Sequence, residues 1–343
     1  MTRTNAPEPT ITPLDDPTAP GLDALLAADP APLYYYVPGV DPAGALAVAR
    51  ERLGRRLASE DRVGAWQAGM PEDGSEASRL VGLLVAGRRR WESEHLGLAA
   101  GAVEHLVVAP DLPRQARERV FARLLEAAEG AFRDASIVHV TCRTDTTRVA
   151  QVQALEAAGY ATMDVVLHHL LSPGARRPAP EASPGVRIRG HAPGDATRVA
   201  EIARRVYRYD RLHVDPALET ARVADAYAAW GANSCRGLAD HVVVAEVDGV
   251  VAGFFTLRVD PDQARLGVRL AKVWLVGLDE AFQGRGLGPR LMAAAEAWAF
   301  DEAEADVIEV GTQLANHPAL RLYGRRGFLP ANSVFAHRLW LGA

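Results

Sequence analysis

The sequence predicts a mixed α/β protein built as two similar domains in tandem. The chain has 343 residues, more than one ordinary hydrophobic core organises. Residues 172–185, SPGARRPAPEASPG, hold four prolines and two glycines with no apolar periodicity, which reads as a linker. On either side of it strands and helices follow in the same order. Each half closes on a short helix, a glycine and an aromatic: ALEAAGY at 154–160 and RLYGRRGF at 321–328. The expected division is an arm at 1–20, a first domain at 21–171, a linker at 172–185 and a second domain at 186–343.

In the first domain, residues 21–29 suit a short helix, and the run Leu33-Tyr34-Tyr35-Tyr36-Val37 reads as a strand. Apolar spacing predicts a helix over 43–57. Segments 64–69 and 79–87 bracket a turn at 71–78, with a strand over 81–86. A strand at 103–108, an amphipathic helix at 115–131, a strand at 137–142, a helix at 148–158 and a strand at 162–170 complete it.

The second domain restarts with a strand at 186–189 and helices at 194–207 and 218–230. Strands 241–247 and 250–259 flank Asp248-Gly249, a strong hairpin signal. A strand at 272–277, a helix at 288–300, a strand at 307–311, a short helix at 318–325 and a strand at 335–341 follow.

Composition narrows the function. With 48% hydrophobic and 24% charged residues and a formal net charge of −5, this is a globular composition. The scattered arginines and the lack of a zinc-finger or helix-turn-helix signature argue against nucleic acid. No apolar run reaches the length of a membrane span, so no membrane partner is expected. The start, MTRTNAPEPTITPLDD, lacks the apolar core of a secretory signal, so cytoplasm is the expected location. The two cysteines, Cys142 and Cys235, lie in different halves; neither a disulfide framework nor a metal site is expected. A homodimer is compatible with the sequence.

The informative stretch is residues 273–298, VWLVGLDEAFQGRGLGPRLMAAAEAW. A strand ends near Gly277, and Gln283-Gly284-Arg285-Gly286-Leu287-Gly288 leads directly into a helix with Pro289 in its first turn, where a missing N–H costs nothing. Glycines allow positive φ and close approach, so free N–H groups converge on one spot suited to a pyrophosphate. A Rossmann site is disfavoured: the glycines come late in the domain and no acidic residue ends a following strand. The Lys-Ser/Thr of a nucleoside-triphosphate loop is absent. Downstream, Tyr323 is a candidate general acid, with a core aromatic as the plain alternative.

Gln283-x-x-Gly286-x-Gly288, then Asn316, then Tyr323-x-x-x-Gly327-Phe328 resembles the GCN5-related N-acetyltransferases in order, spacing and context. Each half is then expected to be a mainly antiparallel, mixed sheet flanked by helices. The segments Arg208-Tyr209-Asp210-Arg211, Asp215-Pro216, Tyr227-x-x-Trp230, 253–258 (GFFTLR), Val310-Gly311-Thr312-Gln313-x-x-Asn316 and Ala319-Leu320-x-Leu322-Tyr323 are similar to the dTDP-4-amino-4,6-dideoxygalactose N-acetyltransferases, which also carry a degenerate first domain. Trp91–Gly97 is loosely similar to their early motif, while this chain departs from them in length and across the sugar-facing region.

The resemblance implies acetyl-CoA, or another short acyl-CoA, as co-substrate and no metal. Gln283, Gly284, Arg285, Gly286, Leu287 and Gly288 would hold the pyrophosphate. Leu275, Val276 and Gly277 would pair with the pantetheine arm, and one of their N–H groups would polarise the thioester. Asn316 would contact the pantetheine, or else cap its helix. Tyr323 would protonate the leaving thiolate. Arg208, Tyr209, Arg211, Arg258 and Gln313 are candidates for the acceptor, since arginine suits an anionic nucleotide sugar. The general base is not evident: Asp279, Glu280, His213 and His317 are candidates, with a water chain as the alternative.

The first half has APDLPRQA at 109–116 in place of the glycine loop, and Leu155 in place of Tyr323, so it is expected to be a degenerate, non-catalytic domain. The expected activity is acyl transfer to a primary amine of a small molecule, a nucleotide-linked amino sugar being one reading. Alternatives keep the fold and change the acceptor to an antibiotic-like amine, an amino acid or a protein N-terminus, or make the chain a non-catalytic acyl-CoA-binding protein.

Overall fold

A computed structural model of the chain describes residues 8–71 and 78–342. The first half holds β1 (Thr10–Pro13), α1 (Leu22–Ala27), α2 (Pro42–Leu57), β2 (Arg62–Pro71), β3 (Ser78–Arg88), α3 (Arg90–Leu96), β4 (Ala100–Val108), α4 (Arg114–Asp134), β5 (His139–Asp145), α5 (Val149–Ala157) and β6 (Ala161–Leu171). The second half holds β7 (Val186–Gly190), α6 (Ala196–Val206), α7 (Thr220–Asn233), β8 (His241–Val247), β9 (Val250–Val259), α8 (Gln263–Leu266), β10 (Leu270–Leu278), α9 (Leu287–Ala297), β11 (Val307–Gln313), α10 (His317–Arg326) and β12 (Leu329–Trp340).

Two compact units result, and they do not follow the linear order. The first comprises residues up to Tyr35, Pro42–Met163 and Val334 onward; the second comprises Tyr36–Asp41 and Asp164–Ser333. Strand order in the first is β1-β2-β3-β4-β5-β12, and in the second β7-β8-β9-β10-β11-β6. The same plan appears in both: antiparallel neighbours throughout, except one parallel pair, β4 with β5 and β10 with β11. The last position in each sheet is filled by the other half's final strand. β12 runs antiparallel to β5 from Val334↔Asp145 to Trp340↔His139, and β6 antiparallel to β11 from Ile308↔Leu171 to Gln313↔Val166. The segment at 172–185 therefore follows a strand that already belongs to the second unit.

Local sequence explains most elements. Asp248 and Gly249 both take positive φ, 50° and 82°, the twist a two-residue hairpin turn requires between β8 and β9. α9 buries Leu287, Leu291, Met292 and Ala295 against Val243, Ala245, Phe255, Ala271, Val273, Ile308 and Val310 on one sheet face. Each fully buried Leu contributes about 1.5–3 kcal/mol. In the first unit α4 buries Val120, Phe121, Leu124, Leu125 and Phe132 in the corresponding way.

Two expectations are corrected. Residues 33–37 form turns, not a strand: Tyr34 has φ 55°, and prolines at 32 and 38 withhold ladder donors. The expected arm is ordered over much of its described part, because β1 pairs with β2 and Leu14 is fully buried in the first core. The turn expected at 71–78 lies mainly outside the described residues.

Candidate active site

The site begins with a parting of strands in the second unit. β10 and β11 pair only over Leu270–Val273 and Val307–Val310. Beyond a bulge between Val273 and Val276, β10 continues on β9 alone, Val276 opposite Phe255 and Leu278 opposite Gly253. β11 continues on β6 alone, Gly311 opposite His168 and Gln313 opposite Val166. A gap therefore opens with Val276–Leu278 on one side and Gly311–Gln313 on the other. The bulge also turns backbone groups out of the ladder. Leu275 N–H donates to Thr256 Oγ1 at 2.9 Å. Val276 N–H donates to the Tyr207 hydroxyl at 2.9 Å, and that hydroxyl donates to Val276 C=O at 2.8 Å.

Tyr323, on α10, is 1% exposed, and its hydroxyl has no hydrogen-bond partner among the described residues. Its ring meets the edge of His169, whose backbone lies opposite Val310, the last β11 residue paired to β10. Burial pushes the phenol above its ordinary value, so it stays protonated. Tyr207 is pushed up in the same way, first by burial, and it senses Tyr323 electrostatically. A buried hydroxyl without a partner costs about 1–3 kcal/mol, a cost expected where a ligand completes the bond.

The loop at 283–286 lies exposed ahead of α9. Gly284 and Gly286 have φ of 76° and 72°, and a Cβ on either would meet open space. Backbone conformation, not crowding by the protein, is what requires glycine here. Leu287 and Gly288 follow as the first helical residues of α9. Gln283 donates to Leu278 C=O at 3.3 Å, and the Arg285 guanidinium stacks 5.2 Å from the Phe282 ring. Asn316 caps α10: Oδ1 accepts from Ala319 N–H at 3.3 Å, and Nδ2 donates to Thr312 Oγ1 at 3.0 Å. Both halves of its amide are thus engaged within the protein. The positive-φ loop, the gap and the orphan hydroxyl together fit an acyl-CoA.

The acceptor candidates divide. Arg258, opposite Lys272 in the sheet, lies with its guanidinium 4.9 Å from the Trp274 ring. Gln313 ends β11 at the gap. Arg208 is exposed and paired with Glu280. Tyr209 is half-buried and Arg211 senses Tyr227. Asp279 accepts from Ala281 N–H at 2.9 Å and is paired with Arg198 at 2.5 Å, and these hold its carboxyl below the ordinary value.

Sequence reading did not single out Tyr207 as a site residue. It stacks on Tyr227 at 4.3 Å, beside His213, which is paired with Asp210 at 2.5 Å. The only sequence signal was an aromatic at the end of a helix, which is ordinary for a core. The first unit parts its strands likewise: β4 and β5 pair only over Ala100–Val103 and His139–Cys142. There Pro113 stands at the start of α4 and Leu155 is fully buried on α5.

Residues 197–328 match the acetyltransferase (GNAT) family. Over 233 residues, 67% of this chain and 71% of the relative, the sequence is 30% identical to a mycothiol acetyltransferase of Thermomonospora curvata. The chain belongs to the acetyltransferase (GNAT) family. It is also 28% identical over 153 residues, 44% of this chain, to the spore coat polysaccharide biosynthesis protein SpsD of Bacillus subtilis, covering 49% of that protein. The chain spans about half the length of most curated relatives it matches. A GCN5-related N-acetyltransferase from Sphaerobacter thermophilus has the same fold, with TM-score 0.62 and 16% identity over 98% of both chains.

Proposed function

We propose that this GNAT chain is an acyl-CoA-dependent N-acyltransferase acting on a primary amine of a small molecule, with its one active site in the second unit. The observation that carries this is the protonated, unpartnered Tyr323 hydroxyl buried beside the parted strands. An acyl-CoA would supply the activated thioester. The chain would supply the rest: N–H groups of 283–288 for the pyrophosphate, with Arg285 as added charge, and backbone of Leu275, Val276 and Gly277 for the pantetheine arm. The Tyr207 hydroxyl both accepts from and donates to Val276, so the place it fills suits a ligand carrying carbonyl and amide groups side by side. Val276 N–H is then the donor to a developing oxyanion, and Tyr323 delivers a proton to the departing sulfur. Asn316 acts by holding α10, and with it Tyr323, in place.

A nucleotide-linked amino sugar is the finer reading of the acceptor. It is supported by the matched segments at 208–216 and 310–316, by the Arg258 guanidinium over the Trp274 ring, and by a relative named for polysaccharide biosynthesis. Calorimetry with acetyl-CoA, followed by free-thiol detection with glucosamine, a dTDP-linked amino sugar, an aminoglycoside, an amino acid and a peptide, tests both levels. Thiol release confined to the sugars supports the finer reading. Release with another amine changes the acceptor alone. Binding without release from any amine would make the chain an acyl-CoA-binding protein.

A further inference from the structure

We propose that His168 is the proton acceptor for the incoming amine and that buried Glu309 positions it, an assignment that rests on the acyltransferase reading above. Glu309 stands on β11 between Ile308 and Val310, whose side chains enter the core under α9 and α10; alternation puts Glu309 on the opposite face. Its Oε1 accepts from His168 Nδ1 at 2.6 Å and from the Tyr36 hydroxyl at 2.8 Å. Lys272 Nζ lies 3.7 Å from Oε2 and 3.1 Å from Asp260. Tyr36 and His168 both come from the first half of the chain and both belong to the second unit.

This arrangement settles the tautomer. A carboxylate at Nδ1 places the ring proton there and leaves Nε2 as the lone pair. Burial alone would raise the Glu309 carboxyl, but the His168 hydrogen bond and Lys272 outweigh it, so the group stays ionised. Nε2 has no partner among the described residues. The ring is placed for use: His168 lies opposite Gly311, the first β11 residue beyond the end of pairing with β10, and a Cβ at 311 would come within 3.6 Å of the ring. The His168 side chain is 20% exposed, against 8% for His213, which is closed in by Asp210 and Tyr227.

The proton accounting closes without a further reagent. One proton passes from the ammonium to Nε2, leaving a neutral amine and an imidazolium that later releases it to water. The N–C bond forms as the C–S bond breaks, and the amine's surplus N–H proton ends on the sulfur through Tyr323. The charged or titratable groups around His168 are Glu309, Tyr36 and Lys272, with Asp260 behind Lys272 and His169 on the other face of β6.

The test uses the full chain with acetyl-CoA and the amine panel, glucosamine included, and reads kcat/KM against pH. The wild type should lose activity on the acid side with a histidine-like limb. His168→Gln should lower kcat/KM about 100-fold, abolish that limb and leave acetyl-CoA affinity within about twofold, since the loop is untouched. Glu309→Gln should lower kcat/KM about tenfold through kcat, with KM little changed, because the amide no longer fixes the Nδ1–H tautomer. Ethoxyformylation by diethyl pyrocarbonate, read at His168 by mass spectrometry, should be slower in the Glu309→Gln chain and needs no acceptor. An active wild type whose limb survives in a folded His168→Gln chain would overturn this assignment alone. A wild type that releases no thiol with any amine would overturn the acyltransferase reading, and this assignment with it.

Discussion

Tyr323 concentrates the residue-scale argument, because the same atom carries the chemistry and a stability cost. Tyr323→Phe keeps the ring that packs on His169 and Phe328 and removes only the unpartnered hydroxyl. We expect kcat to fall roughly 10²-fold or more while acetyl-CoA affinity changes little. The same change relieves a desolvated polar group, so Tm should rise, by the equivalent of about 1 kcal/mol. Steady-state kinetics beside calorimetry checks both. Wild-type kcat in the Phe variant would remove Tyr323 from catalysis, and an unchanged or lower Tm would show that the hydroxyl has a partner. Because burial raises the phenol's pKa, no basic limb from Tyr323 should appear below its ordinary value near ~10.

At the scale of elements, the loop before α9 and the tie between α9 and α10 have different jobs. Arg326 on α10 and Glu296 on α9 form a buried pair, and Arg326 also donates to Pro178 C=O at 2.8 Å and Arg177 C=O at 3.0 Å. That pair fixes the helix carrying Tyr323. The loop, by contrast, leaves open space around Gly284 and Gly286 and exists for its backbone conformation. Gly286→Val puts a β-branched residue at φ 72°, costing about 1–2 kcal/mol of strain, and should weaken acetyl-CoA binding at least tenfold. Gly286→Asn tolerates this region better and should bind with intermediate affinity. Equal affinities for all three chains by calorimetry would place the cofactor elsewhere.

At the scale of the whole molecule, the exchanged strands make a strong prediction. A fragment of residues 186–343, the second domain as the linear sequence divides it, lacks β6. It therefore leaves Ile308–Gln313 of β11 as an open strand edge and deletes His168. It should aggregate or lack native circular dichroism, whereas the intact chain should bind one acetyl-CoA, given Pro113 and Leu155 in the first unit. A well-folded, active 186–343 fragment would contradict the topology. Acid should act on both units. His105 and His337 in the first, and His169 and His241 in the second, are held below the ordinary 6.5, His105 at about 4, chiefly by burial. Their folded pKa values lie below the unfolded ones, so their stabilising effect is complete above about pH 6.5 and is lost as pH falls toward 4. Below that, Glu309 and Asp210, whose folded values are depressed, lose theirs in turn. Tm measured by calorimetry should be flat from pH 8 to 7 and fall steadily from 6.5 to 4; a flat profile to pH 5 would show the histidines to be solvated.

What the sequence determined by itself was everything written in local spacing. The Asp248-Gly249 hairpin, the glycine loop before a helix, and the placement of Tyr323 ahead of Gly327 each depend on residues a few positions apart. The family could be read there, as could the loss of glycine loop and tyrosine from the first half. Tertiary structure alone decided the pairing of β6 with β11 and of β12 with β5, and with it the membership of each unit. Tyr36, His168 and Glu309 meet across 273 and 141 residues of chain. No periodicity records such a meeting, because an alternating strand carries the same pattern whichever neighbour it pairs with. For the same reason nothing in the sequence marked Tyr207. Only the parting of β10 from β11, which leaves the N–H and C=O of Val276 without a strand partner on that side, gives that hydroxyl a place in the site.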